Sequence, residues 1–306
     1  MSSPVLYLIA AAALTWSACV RAEPLPVHLR DTGIGDARKL AFSPQYPLWS
    51  DGAHKRRWIH LPPGTAIDAS RPDAWEFPPG TRLWKEFSLD RPIETRFIER
   101  LQDGTWRYAV YVWNEEGTDA TLAPADGIAA LATHDGYSIP SETDCRACHE
   151  GAAVPVLGFS ALQLSSDRDP LAPHADVSTD VDLDGLTARG LITNLSPSAA
   201  RPRIAASSAI ERASLGYLHG NCGHCHNDND TRVPVDLTLA QSVAGNSDRV
   251  LHSLMKVSNR LLARMSSRNP QQQMPPIGTR HIDTEALALL ERWISEKSST
   301  AEESKP

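Results

Sequence analysis

The sequence predicts an α+β protein, with an N-terminal antiparallel β-rich domain over residues 23–150 followed by an all-α domain over residues 206–296. Three observations carry this. Between Phe42 and about Leu122 the apolar residues alternate with period two and are broken by Pro and Gly, whereas beyond residue 206 they recur at helical spacing. Six of the eight tryptophans, at 49, 58, 75, 84, 106 and 113, fall in the first stretch, where large aromatics suit a pleated, half-buried surface. A chain of 306 residues is also long enough for two domains.

Taken in order, the first element is an export signal. Val5 to Leu14 is apolar but shorter than the ~20 residues that span a bilayer, and Val20-Arg21-Ala22 supplies a cleavage site, so residues 1–22 read as a signal peptide. Ser17-Ala18-Cys19 offers a rival, a bacterial lipoprotein site with a lipid anchor at Cys19. Either way the protein is expected outside the cytoplasm, in the periplasm or exported. No other long apolar run occurs, so no transmembrane segment is expected.

Arg57 to Leu61 and Thr81 to Phe87 read as short strands, and Glu94 to Leu101 with Trp106 to Trp113 as a hairpin through Asp103-Gly104. In the last strand Trp106, Tyr108, Val110 and Val112 share one face and Tyr111 and Trp113 the other, so both faces should be covered. The tryptophans are then core residues rather than a binding platform. Residues 151–205, punctuated by proline, read as a connector with one short helix near Leu183 to Gly190; it is long for a loop and should lie along both domains. Ser208 to Glu211 is a capping box, and Ile210, Ala213, Tyr217 and Leu218 follow on one helical side into Asn221-Cys222. A second helix is expected over Ser247 to Asn259. A third should start at Asp283 and bury Ala286, Leu290, Trp293 and Ile294. Residues 297–306 lack apolar periodicity and read as a disordered tail.

Removing residues 1–22 takes away Arg21, leaving 29 basic residues against 37 acidic ones. A chain this acidic is not expected to bind nucleic acid. The same removal leaves four cysteines, arranged as Cys145-Arg146-Ala147-Cys148-His149 and Cys222-Gly223-His224-Cys225-His226. Paired disulfides give no reason for a His after each pair, a redox dithiol would want a βαβ context, and a four-cysteine zinc site would need two pairs far apart in the chain to converge on one ion. Cys-x-x-Cys-His is the spacing of covalent haem attachment: two thiols add to the two vinyl groups of a porphyrin, and the next residue presents its imidazole to the iron. Cys145, Cys148, Cys222 and Cys225 are therefore expected to carry two covalently attached c-type haems, with His149 and His226 as axial ligands. A thioether is a suitable opposing ligand, and Met274 in Gln273-Met274-Pro275-Pro276 is the candidate, with Met265 and Met255 as competitors.

The succession of helix, Cys-x-x-Cys-His, helix, Met-Pro loop and C-terminal helix resembles class I cytochrome c. That likeness implies Met274 as the sixth ligand of the second haem, with Tyr217 and Trp293 where terminal helices cross. The wider chain resembles an uncharacterised bacterial family of exported proteins that join a β-rich domain to a cytochrome c domain. The likeness is carried by Tyr46-Pro47-Leu48-Trp49-Ser50-Asp51-Gly52-Ala53, Trp75-Glu76-Phe77-Pro78-Pro79-Gly80-Thr81, Trp84-Lys85, Glu94-Thr95-Arg96, Tyr217-Leu218, Asn221-Cys222 and Met274-Pro275-Pro276. It implies haem binding without naming a reaction. Phe77 to Thr81 with Lys85, the Trp106 to Trp113 strand and the first motif are also similar to β-sheet cytochromes that oxidise hydroxylamine on a lysine-linked haem, with Lys85 as the available lysine.

The expectation is a periplasmic dihaem c-type cytochrome passing single electrons to a redox partner protein, for which an acidic surface favours a basic partner. The alternative is a dihaem oxidoreductase, peroxidase-like or acting on a small nitrogenous substrate, with an open first haem. Glu150 to Pro155 holds no Met or His that could fold back on that haem, so its sixth ligand would come from a distance, with His54, His60, His134 and His174 as candidates.

Overall fold

The computed structural model describes residues 23–131, 136–176, 180–229, 233 and 235–303. The signal segment with Cys19, and His134, lie outside the described residues. β1 (Leu40–Ala41), β2 (His54–His60), β4 (Arg82–Ser88), β5 (Pro92–Arg100), β6 (Trp106–Trp113) and β7 (Ala120–Leu122) form one sheet in the order β1-β2-β4-β5-β6-β7, antiparallel throughout. β3 (Ile67–Asp68) pairs in parallel with β8 (Ile192–Thr193).

The β5–β6 hairpin closes where the Leu101 amide donates to Thr105 O at 2.8 Å, and Gly104 takes a φ of 83° that suits a residue without Cβ. Both faces of the sheet are covered. One face sends Ile59, Leu83, Ile98, Tyr108 and Val110 into the main core, where Phe77, Phe159 and Leu164 meet them. Trp84, Phe97 and Tyr111 point the other way and are covered by Leu29 and its neighbours, with the Trp84 indole N–H donating to Thr32 Oγ1 at 2.8 Å. Each such buried ring contributes about 1.5–3 kcal/mol.

Residues 151–205 complete both cores. Phe159, Leu164, Ile192 and the α2 (Leu183–Ala188) residues Leu183 and Leu186 belong to the main core, while Leu162 and Ile204 belong to the C-terminal one. α2 begins where Asp182 accepts the Gly185 amide at 2.8 Å.

The C-terminal residues do not form an all-α class I cytochrome c-like domain. α3 (Ala209–Asn221), α4 (Ser247–Met255) and α5 (Ser258–Met265) are short, at 13, 9 and 8 residues. The core they share with α6 (Thr284–Glu303) is completed by Tyr46 from the N-terminal part of the chain and Leu162 from residues 151–205. Apolar spacing reports which side of a helix is covered, not what covers it. The single helix expected over Ser247 to Asn259 is broken after Met255 and resumes at Ser258. α6 also continues through residues 297–303, where a disordered tail was expected.

Candidate functional site

The first cysteine motif lies inside a helix, α1 (Glu142–His149), and not simply after the sheet. Its start is fixed by Ser141 and Asp144: Ser141 Oγ accepts the Asp144 amide at 3.1 Å and Asp144 Oδ2 accepts the Ser141 amide at 3.0 Å. One helical turn carries Cys145 and Cys148, and His149 ends it. All three border one cavity of about 360 Å³, together with Arg96, Tyr137 and Gly278. That volume is within the range of small-molecule and cofactor sites, roughly 300–1,000 Å³.

His149 is held in one form. Its Nδ1 lies 2.6 Å from Pro155 O; a carbonyl only accepts, so Nδ1 carries the proton and Nε2 keeps its lone pair. Burial, then the nearby Lys85, His224 and Arg96, push the imidazole pKa down to about 4, so the ring is neutral near pH 7. Its ring stacks at a tilt on Tyr108, centroids 5.3 Å apart. A neutral imidazole fixed through Nδ1 is the state a metal-binding histidine needs.

The second motif begins as α3 ends. The Cys222 amide donates to Leu218 O and the His226 amide to Cys222 O, each at 2.8 Å, while the Leu239 amide caps His226 O at 2.8 Å. Asn227 ties the motif together, its Nδ2 donating to Gly223 O (2.9 Å), His224 O (3.1 Å) and Gly151 O (3.0 Å). Gly151 is two residues past His149, so the structure brings the two motifs side by side. Between them Ala153, Val154, Trp75, His219, Gly223 and His224 border a further cavity of about 290 Å³.

The segment carrying Tyr46 to Asp51 places the second motif. The Trp49 amide donates to Asn221 Oδ1 at 2.6 Å, and Asn221 Nδ2 donates back to Pro47 O at 3.2 Å and to Tyr217 O at 3.0 Å. Asp51 accepts the amides of Arg280 and His281, the nearest at 2.9 Å. Tyr46 lies so close to α3 that a Cβ at Gly216 would come within 2.0 Å of its ring, and one at Gly220 within 2.3 Å of its carbonyl oxygen.

Several readings of the cysteines separate on this geometry. None of the four is in a disulfide. Burial pushes the Cys145 thiol up to about 11 and the Cys222 thiol up to about 12, opposite to the lowered pKa of a redox dithiol. Among the described residues no group of three or more His, Cys, Asp or Glu is arranged to hold a metal ion directly, so the two pairs do not converge into a zinc site. Two thiols and a neutral imidazole on one cavity wall do fit a covalently held tetrapyrrole.

Met274 is half-buried, its amide donating to Arg264 O at 3.0 Å, and the loop that follows sends Ile277, Gly278 and Arg280 to the cavity of the first motif. Met265 is a core residue, 7% exposed, and Met255 is exposed. The distant histidines are directed elsewhere. His54 and His60 lie on the sheet face opposite the one that carries Arg57 and Ile59, with His60 Nε2 3.2 Å from Asp36. His174 Nε2 is 2.9 Å from Asp283 and its ring is 4.8 Å from Trp49. What sequence reading missed is a line of basic residues, Arg57, Lys85 and Arg96, across three strands beside His149; only Lys85 stood out from the sequence.

No helix among the described residues is long and apolar enough to cross a membrane. No protein-family model, curated protein or solved structure matches the chain.

Proposed function

We propose that the chain is an exported dihaem c-type protein that transfers single electrons. The observation that carries this reading is the cavity wall on which Cys145, Cys148 and a neutral His149 fixed by Pro155 stand together. In this reading Cys145 and Cys148 would anchor one group and Cys222 and Cys225 the other, and His149 and His226 would hold their irons. Met274 would supply the thioether to the second group, since Met265 is committed to the core. A haem supplies one-electron redox chemistry; the chain sets its potential through the ligands and by excluding water. The contact of Asn227 with Gly151 holds the two motifs against each other, which suits electron passage between them. The acidic balance of the chain favours a basic redox partner. Extraction with acid acetone followed by mass measurement tests the reading. Two haems retained on the polypeptide support it, and a mass equal to that of the mature polypeptide alone overturns it.

One observation favours a second reading, an oxidoreductase acting at the first group. His54, His60 and His174 are turned away from His149 or engaged by carboxylates, so none closes the side opposite His149. Titration of the ferric protein with cyanide separates the two. A ready spectral change in one group supports an open site, and two unresponsive low-spin groups support electron relay alone.

A further inference from the structure

Three cations stand in one line across the middle of the sheet. Arg57 on β2 is the cross-strand partner of Lys85 on β4, and Lys85 is the partner of Arg96 on β5. They project from the face that carries Ile59, Leu83 and Ile98 into the core, and all three border a cavity of about 90 Å³ together with Tyr46, Gln163 and His149. Lys55, two residues before Arg57 on the same face, donates to Leu48 O at 2.8 Å.

Like charges facing each other across strands are destabilising, and buried cations require partners. Arg96 has one: its guanidinium meets Glu94 Oε1 at 2.6 Å, an oxygen that also accepts the Tyr137 hydroxyl at 2.8 Å. Arg57 and Lys85 enter no salt bridge and no side-chain hydrogen bond among the described residues. Asp176 and Asp180 act on Arg57 only through their field, and the Lys85 ammonium lies 4.7 Å from the Phe87 ring centre. Arg57 is 6% exposed. Burial followed by neighbouring positive charge pushes Lys85 well below its ordinary range, and burial brings Arg57 down to about 10. A negative group in the cavity would relieve Arg57 and Lys85, whereas Arg96 is already held by Glu94.

We propose that Arg57 and Lys85, backed by Arg96, form an internal oxyanion site that grips a carboxylate or a small free oxyanion beside His149. The guanidinium can take two oxygens of one ligand and the ammonium adds a point charge. Two sources carry this chemistry. The tetrapyrrole proposed at Cys145 and Cys148 bears carboxylates of its own, and for that source the inference rests on the functional reading above and adds which residues receive them. A free anion of the size of nitrite or formate is the other.

The test uses the full-length, haem-loaded protein beside Lys85→Gln, Arg57→Gln and the conservative Arg57→Lys, each first shown to be folded by circular dichroism. Resonance Raman reads the carboxylate bending bands of the haem, and calorimetry reads the binding of sodium nitrite and sodium formate. Shifted bending bands in the two Gln variants, restored in Arg57→Lys, support the site with the haem's carboxylates as its ligand. Unmoved bands with nitrite or formate affinity weakened on the order of tenfold in the Gln variants support it with a free anion. Unmoved bands with affinities unchanged, or with no binding of either anion to the parent protein, overturn it. Should mass measurement find no haem, the functional reading fails alone, and the same calorimetric comparison still decides the anion site.

Discussion

At the scale of single residues, His174 and Asp283 form a small acid–base lock between residues 151–205 and the start of α6. Asp283 Oδ1 caps α6 by accepting the Ala286 amide at 3.1 Å, and the same carboxylate holds His174, whose ring rests on Trp49. The hydrogen bond to Asp283 holds the His174 pKa above its ordinary value. Burial alone would raise Asp283, but the bonds from His174 and the Ala286 amide outweigh it and keep the carboxyl below its ordinary range. A raised histidine stabilises the fold below its unfolded value of about 6.5, and that share is lost as pH climbs through the folded value. A lowered aspartate stabilises above about 3.9, and that share is lost as pH falls through its folded value. The pair therefore contributes most in mildly acidic solution. His174→Gln should cost about 1 kcal/mol at pH 6 and much less at pH 9, as read from melting curves at the two pH values; an equal loss at both would show that the ring matters only for packing. The methionines divide in a comparable way. Met265→Ala should destabilise the chain by about 2–5 kcal/mol because it empties a core position. If the second group is attached, Met274→Ala should abolish the far-red absorption of a thioether on ferric iron, and survival of that band in Met274→Ala with its loss in Met265→Ala would make Met265 the ligand.

Among elements, the contact between Tyr46 and α3 decides how the second motif is held. Gly216 and Gly220 are one turn apart and share the side of α3 that Tyr46 covers, so backbone meets ring and carbonyl with no side chain between. Gly216→Ala should cost about 1–3 kcal/mol in chemical denaturation, although alanine is the better helix former in isolation. Combining it with Tyr46→Leu should recover part of the loss, because removing the ring relieves the clash that the added methyl creates. An additive double variant would place the strain elsewhere. The sheet and helices differ in what the sequence disclosed about them. The β5–β6 hairpin, the cap of α3 at Ser208 and the buried stripe of α6 are local patterns, each visible within a dozen residues. The β3–β8 pair was not visible, since two residues on each strand leave no period to read. Nor was α1, whose capping box carries Asp where Glu or Gln is the stronger signal. The row from Arg57 to Arg96 was hidden for a different reason: cross-strand neighbours are set by register, and register is not written in the spacing of any one strand.

Across the whole molecule, the two motifs meet because residues 151–205 fold back over both cores and because Asn227 reaches Gly151. The motifs themselves were plain in the sequence; their adjacency was not, since residues between His149 and Cys222 give no hint of return. If both groups are attached, Asn227→Ala should leave the mass of the loaded protein unchanged while loosening the contact between motifs. The expected readout is a slower rise of one haem's reduced spectrum after rapid reduction of the other, and an unchanged rate would mean the contact plays no part in electron passage. A fragment comprising residues 206–303 should fail to give the cooperative melting of the full chain, for its core lacks Tyr46 and Leu162.

The sharing of Tyr46 and Leu162 also bears on heredity. Exchange of chain segments is tolerated where few contacts cross the join. Here a crossover anywhere between Phe159 and residue 205 would separate Tyr46 from Gly216 and divide Phe159 from Leu183 or Leu162 from Leu215. Each product would inherit a core with its lining missing. Segments so interlocked are poor units of exchange, and neither end is suited to being joined alone to a foreign chain.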